Sequence, residues 1–243
     1  MSGSQIGLSF KAKSMLIALG FKDPETINII NTSFLATMVN DFVLKPGGAK
    51  NTTGIFVKNG PDKNQSFYRY SENVIGILPR TFTSGKEGER DYQYMAVLAL
   101  AHELGHSVSP QYRYDYSTIE TAAHTSKMWE GVALYYEFMA LRSLYPDKKE
   151  FTAWLWEDNK STHSGDVNLY QPIFDIVNSE KTYQEKIEEI AELNTEFVRA
   201  PLGTSGIMLT YDEFIKWDFL KRRTDFAVDY KEASGKFLAR TIF

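Results

Sequence analysis

The chain has 243 residues and contains no cysteine. This absence excludes disulfide bonds, thiolate metal sites and a cysteine nucleophile, so any metal must be held by nitrogen and oxygen ligands. Long apolar runs are missing as well, because none approaches the roughly 20 residues that a membrane-spanning helix requires. From these absences we expect a soluble protein that is stabilised by a hydrophobic core.

An excess of charge of either sign is also missing. There are 27 basic and 31 acidic residues, which give a net charge of −4 and are interspersed along the chain. Nucleic acid and membrane are therefore not expected as partners, and the oligomeric state is left open. The apolar segment 14–21 follows two lysines but lacks a cleavage site, so we interpret it as a buried helix rather than a signal peptide. We expect a cytoplasmic location or export without a signal.

Apolar periodicity and turn residues predict the secondary structure. In the first part of the chain they indicate helix over 5–44 with a break at Asp23 and Pro24, then a turn-rich loop. Short segments rich in β-branched and aromatic residues predict three strands, the last two forming a hairpin, at 54–58, 66–70 and 73–78. The pattern then predicts a helix at about 91–108 and a second one from Ser117 to Tyr145 with one break.

The remainder, 148–243, is predicted to be mostly helical, with loops at 161–166 and 201–205. The expected fold class is therefore α+β, with a small mixed or antiparallel sheet and a mostly helical C-terminal part. We expect an N-terminal sub-domain, 1–110, and a helical C-terminal sub-domain, 111–243, which together form one compact catalytic unit.

Two of the four histidines lie four positions apart in the segment LAHELGHSVSP, residues 100–110. On a helix, positions i and i+4 share one face, so His102 and His106 can direct both rings to a single point. Zinc bound by two such nitrogens needs one more protein ligand and leaves a fourth position for water. Glu103 lies beside that point and is placed to act as a general base toward the water.

The HELGH segment resembles the active-site helix of zincin metallopeptidases. The metzincin branch does not fit, because Ser109 and Tyr112 stand where its pattern requires glycine and histidine. The later segment MWEGVALYYE, residues 128–137, is similar to the glutamate helix of gluzincins. This resemblance, which covers residues 92–137, implies that Glu130 is the third zinc ligand and that the fold is zincin-like.

Other residues compete for the ligand role. Glu120, Glu137 and His124 lie on the same predicted helix as Glu130. Glu137 is two turns beyond Glu130 on one face, where it can orient a ligand histidine instead. Gly131 and Ala133 favour Glu130, because small residues in mid-helix are explained if two helices pack closely at the metal.

The function implied by the resemblance is that of a zinc-dependent metallopeptidase. The sequence lacks the motif with which aminopeptidases of this class anchor a free amino terminus, which favours an endopeptidase. Strand NVIGIL, residues 73–78, occupies the place where gluzincins pair with extended peptide. Candidate donors to the oxyanion are His163, Tyr170 and Tyr211. The alternative is a non-catalytic zincin-like domain for binding or sensing, such as part of a mobile-element regulator or a toxin.

Overall fold

The structure is a computed structural model. It describes residues 7–59, 66–82, 93–112, 117–146 and 167–193, with backbone alone at 119 and 167–170, and the backbone of 198–199 and 208–209. Helices predominate and are combined with small sheets, which confirms the predicted α+β class.

The chain divides into two compact units. One unit comprises Met1–Pro110 with Val132–Lys181, and the other comprises Gln111–Gly131 with Thr182–Phe243. The first boundary follows residue 110. The second boundary falls inside one continuous helix, and 132–181 belong with the N-terminal part because that half of the helix packs there.

Three helices replace the predicted helical segment 5–44: α1 (Phe10–Leu19), α2 (Pro24–Thr32) and α3 (Leu35–Leu44). The first break is the predicted one, since the Asp23 side chain accepts a hydrogen bond from the Thr26 amide and Pro24 occupies the first helical turn. The second break, after Thr32, has no glycine or proline to signal it. Helix α1 buries one face only, and Phe10 on the other face is exposed.

No single helix among those described is both long and apolar enough to cross a membrane. Helices α2 and α3 meet that criterion only when they are taken together as a pair, and the bend between them is 86°.

The predicted strands form a three-stranded sheet. After a short ribbon of β1 (Pro46–Gly47) and β2 (Thr52–Thr53) come β3 (Ile55–Lys58), β4 (Phe67–Arg69) and β5 (Val74–Ile77). Strands β4 and β5 form the predicted antiparallel hairpin, and β3 pairs with the other side of β5 in parallel. The order is thus β3-β5-β4, with β5 in the centre.

This order corrects the expectation that the segment NVIGIL pairs with extended peptide. The segment contains β5, whose backbone groups are already used by β3 on one side and β4 on the other. A peptide can add only to an edge of a sheet. The edges of this sheet are β3 and β4.

Two long helices follow the sheet: α4 (Tyr94–Ser107) and α5 (Ile119–Leu144). Helix α5 is uninterrupted, in contrast to the expected break. Its first turn is capped by Thr118, whose Oγ1 accepts a hydrogen bond from the Thr121 amide. Helix α4 packs on β4 and β5. The buried side chains of β5 and α4 include Ile75, Ile77, Val97, Leu100, Ala101 and Leu104.

The C-terminal part contains α6 (Val167–Asn178), α7 (Tyr183–Leu193) and a short antiparallel pair, β6 (Val198–Arg199) and β7 (Met208–Leu209). Helix α7 begins with a capping box, in which Thr182 and Glu185 each hydrogen-bond to the other's backbone amide. The strand pair differs from the predicted helical remainder. The predicted loops 161–166 and 201–205 both lie outside the described residues.

The start of the HELGH helix is fixed by a buried glutamine. Gln93 is 1% exposed and adopts a left-handed conformation with φ of 66° immediately before α4. Its Oε1 accepts hydrogen bonds from the amides of Lys22 (2.9 Å) and Asp23 (3.1 Å), and its Nε2 donates one to the Gly20 carbonyl (2.9 Å). This side chain therefore ties the first turn of α4 to the connection between α1 and α2.

We predict that Gln93→Ala lowers the free energy of unfolding by about 1 to 3 kcal/mol, because one buried and two partly buried backbone groups lose their hydrogen-bond partner. Urea denaturation measures the change. The control is the exposed Gln111→Ala, which is expected to stay within about 0.5 kcal/mol of wild type. Equal stability of the two variants would show that Gln93 does not anchor the helix.

Candidate metal centre

Helices α4 and α5 approach each other until their backbones are in contact. A Cβ atom added to Gly105 would lie 2.7 Å from Ala133 Cα and 3.1 Å from the Val132 carbonyl oxygen. Real Cβ atoms do not come within 3.0 Å of such atoms, so only glycine fits at position 105. The glycine of HELGH therefore sets the distance between the two helices.

The two histidines share one face of α4, as their spacing predicts. The ring centroids of His102 and His106 are 4.8 Å apart, and their planes are inclined at 85°. Both side chains are half-buried. One ring nitrogen of each histidine and one carboxylate oxygen of Glu130 lie within 4.8 Å of one another. These three residues form a group that can hold a metal ion.

Glu130 joins this group because α5 is continuous. It stands two positions before Val132, whose carbonyl faces Gly105, so the helix contact also determines where Glu130 lies. Its competitors on the helix are not part of the group. Glu120 and His124 are exposed to solvent, and the described residues contain no second cluster of three metal-binding side chains.

Glu137 contacts one of the two histidines, as expected for a residue that orients a metal ligand. Its Oε2 lies 2.9 Å from His102 Nδ1. Since a carboxylate can only accept, His102 Nδ1 is the donor and Nε2 is the nitrogen that remains for a metal. A carboxylate in this position fixes the tautomer and the orientation of a ligand histidine and increases its basicity.

Glu103 is buried, with 5% of its surface exposed. Glutamate is rarely buried to this extent, because removing a carboxylate from water costs free energy. It is adjacent to His102 on α4, at the side of the histidine pair. An expensive burial next to a metal-binding group is typical of a functional carboxylate.

One expectation about small residues is only partly correct. Ala133 lies at the contact with α4, as expected, but Gly131 serves a different contact. A Cβ atom on Gly131 would lie 2.9 Å from the Ile187 carbonyl oxygen and 3.0 Å from Ala191 Cβ, both on α7. Gly131 thus allows α7 to pack on α5 one residue beyond Glu130.

Tyr135 lies two positions before Glu137. Burial raises the pKa of its hydroxyl, and the neighbouring Tyr136 raises it further. The candidate oxyanion donors His163 and Tyr211 lie outside the described residues, and only the backbone of Tyr170 is described.

The donor set fits a divalent transition metal. Two imidazole nitrogens and one carboxylate oxygen are the ligands found in catalytic zinc sites, and such ligands lie about 3.3 Å apart around a tetrahedral ion. The three donor atoms are within 4.8 Å, so small side-chain rotations suffice to close the site. Imidazole also suits copper, iron and nickel.

Comparison with known proteins adds no further identification. The chain matches no protein-family model, no curated protein and no solved structure. The chemistry of the group is therefore argued from its own residues.

We predict that Gly105→Ala lowers the free energy of unfolding by about 1 to 3 kcal/mol, because the new methyl group forces α4 and α5 apart. Calorimetry measures the loss, and zinc titration is expected to show weaker binding as well. Ala133→Gly does not rescue the variant, since the clash is with the Ala133 Cα atom rather than with its side chain. Rescue by this second change would refute the backbone contact.

We predict that Glu137→Ala weakens zinc binding about 10- to 100-fold, because His102 loses the carboxylate that orients it. Glu137→Gln is expected to lose less, as its amide oxygen can accept the same hydrogen bond. Competition with a chelator of known affinity measures the change, and the exposed Glu120→Ala is the control. If Glu137→Ala and Glu120→Ala bind zinc equally well, Glu137 has no role in positioning His102.

Proposed function

We propose that the protein is a zinc-dependent metallopeptidase of gluzincin type that hydrolyses peptide bonds within chains rather than at their ends. The observation that carries the proposal is the grouping of His102, His106 and Glu130, whose donor atoms lie within 4.8 Å of one another, together with the buried Glu103 that follows His102 on α4. Two histidines and one glutamate leave one coordination position of a tetrahedral zinc open, as catalysis requires.

When bound, zinc supplies an activated water near neutral pH and polarises the substrate carbonyl. The chain itself supplies the proton transfers. The Glu103 carboxylate accepts a proton from the attacking water and delivers it to the nitrogen of the leaving amine. Its burial supports this role, because a site that excludes bulk water keeps the transferred proton from leaking to solvent.

Glu137 holds His102 in place during these steps. The hydrogen bond from Nδ1 keeps Nε2 as the nitrogen that would bind the metal, so the ligand does not change its tautomer. Helix α5 thus contributes two carboxylates with different tasks. Glu130 completes the ligand set, and Glu137 orients a ligand that belongs to α4.

The substrate we propose is an extended peptide that pairs with an edge of the three-stranded sheet. Strand β4 is one such edge, and it packs directly on α4. Backbone pairing of this kind gives affinity with little dependence on sequence. The proposal is therefore of an endopeptidase whose specificity is set by side-chain pockets.

A non-catalytic binding domain has less support. A metal that served structure alone would be fully enclosed by four protein ligands, whereas the group described contains three. A structural site also gains nothing from a buried glutamate beside it, and Glu103 is such a residue.

We predict that Glu103→Gln retains one zinc per chain but lowers kcat for peptide hydrolysis by about 100-fold or more, because the proton acceptor is lost. Elemental analysis measures the zinc, and mass spectrometry of a digested peptide library measures the cleavage. Glu120→Gln, an exposed position on α5, is the matched control and is expected to cleave normally.

Removal of zinc with a chelator is expected to abolish cleavage by the wild type, and added zinc is expected to restore it. A wild-type protein that carries zinc yet cuts no peptide beyond those cut by Glu103→Gln would contradict the proposed activity. The metal site itself would survive that result, because zinc content is measured separately.

A further inference from the structure

Exposed apolar side chains lie on the N-terminal helices α1 and α3 and on strand β3. Among the described residues, seven large apolar side chains are exposed, and four of them belong to α1, α3 and β3. They are Phe10 (88% exposed), Ile17 (48%), Leu44 (49%) and Ile55 (50%). Scattered single exposures need no explanation, but a cluster of this kind marks a site of interaction.

Two hydrogen bonds bring Phe10, Leu44 and Ile55 to the same end of α3, and Ile17 lies two turns beyond Phe10 on the same side of α1. The ammonium group of Lys11 donates to the Val43 carbonyl at 2.7 Å, which fixes the start of α1 there. The Gly54 amide donates to the Phe42 carbonyl at 2.7 Å, which fixes the start of β3. Leu44 follows Val43, and Ile55 follows Gly54, so both lie at the same end of α3 as Phe10.

The outer face of α1 alternates apolar and basic side chains. Positions 10, 13, 14 and 17 lie on one side of the helix, opposite the buried Ala12, Leu16 and Leu19. Phe10, Lys13 and Ile17 are all on this exposed side. Residues 7–22 contain three lysines and no acidic residue, although the whole chain has a net charge of −4.

We call the residues Phe10, Lys11, Lys13, Ile17, Leu44, Lys45 and Ile55 the basic apolar face. Lys45 is paired with Asp41 at 2.9 Å. The remaining positive charge comes from Lys11 and Lys13. The average composition of the chain hides this segregation, which is why the sequence predicts no basic face.

We propose that the basic apolar face docks on an anionic lipid surface. Lysines beside protruding apolar side chains are the features with which a surface helix binds acidic headgroups and inserts side chains among the acyl chains. Phe10 projects almost fully from the helix instead of lining a groove, which suits insertion into lipid.

A second copy of the chain is a poorer occupant for this face. In a two-fold symmetric dimer the same patch meets itself, so Lys11 and Lys13 would face their own counterparts. Like charges brought together across an interface oppose association. An anionic lipid surface instead offers charge of the opposite sign over the whole face.

The test is co-sedimentation of the full chain with vesicles of phosphatidylcholine alone and with vesicles in which about a third of the lipid is phosphatidylserine. We expect binding to the anionic vesicles only, weakened by added salt. Phe10→Ser and Lys13→Glu are each expected to weaken it about tenfold or more. The controls are Tyr183→Ser and Lys181→Glu, also exposed, which are expected to bind as the wild type does.

Equal binding to both kinds of vesicle, or no binding to either, would overturn the proposal. So would Phe10→Ser and Lys13→Glu variants that bind like their controls. Sedimentation without lipid shows whether the chain self-associates, and a dimer dispersed by Phe10→Ser would assign the face to a second copy instead. Circular dichroism checks that each variant is folded, and Ile17→Ser replaces Phe10→Ser if that variant is not.

Discussion

The contact between the backbones of α4 and α5 at Gly105 and Ala133 determines the geometry of the whole site. At this distance a side chain on residue 105 has no space, so the two helices are held at one separation. The histidines on α4 and the glutamates on α5 face each other as a consequence. Hydrophobic packing alone tolerates shifts that a metal site with ligand distances of about 2 Å does not.

Other parts of the fold keep that contact in place. Gln93 fixes the start of α4 to the connection between α1 and α2, while β4 and β5 support the helix along its length. On the other side of Glu130, Gly131 allows α7 to pack against α5. The hydrogen bond between His102 and Glu137 then joins the two helices through polar groups. Each of these contacts restricts the position of a donor atom, which is how a rigid scaffold preorganises a metal site.

Much of the site can be predicted from local sequence. The spacing of His102 and His106 fixes their shared face on a helix, and the position of Glu137 two turns from Glu130 places both on one side of α5. Glu130 itself was inferred from a resemblance, and its proximity to the histidines supports that choice over Glu120 and His124. The first two inferences depend on the geometry of one helix each, whereas the place of Glu130 near the histidines depends on the contact between α4 and α5.

Features that depend on tertiary pairing were harder to predict. Strand β5 is central because β3 pairs with it in parallel. Turn residues between adjacent strands indicate hairpins, so they do not reveal a parallel pairing of this kind. The role of Gly131 depends on α7, more than 50 positions further along the chain, so the sequence suggested the wrong partner for it. The continuity of α5 also escaped prediction, because the packing of a long helix on its neighbours overrides weak local breaks.

The central claim is that His102, His106 and Glu130 together hold one metal ion. Its most direct test is anomalous X-ray diffraction at the zinc absorption edge from crystals grown with zinc. The account predicts a single strong peak at about 2.0 to 2.2 Å from a nitrogen of each histidine and an oxygen of Glu130. No peak at this position, or a zinc ion bound by Glu120 or His124 in place of Glu130, would contradict it.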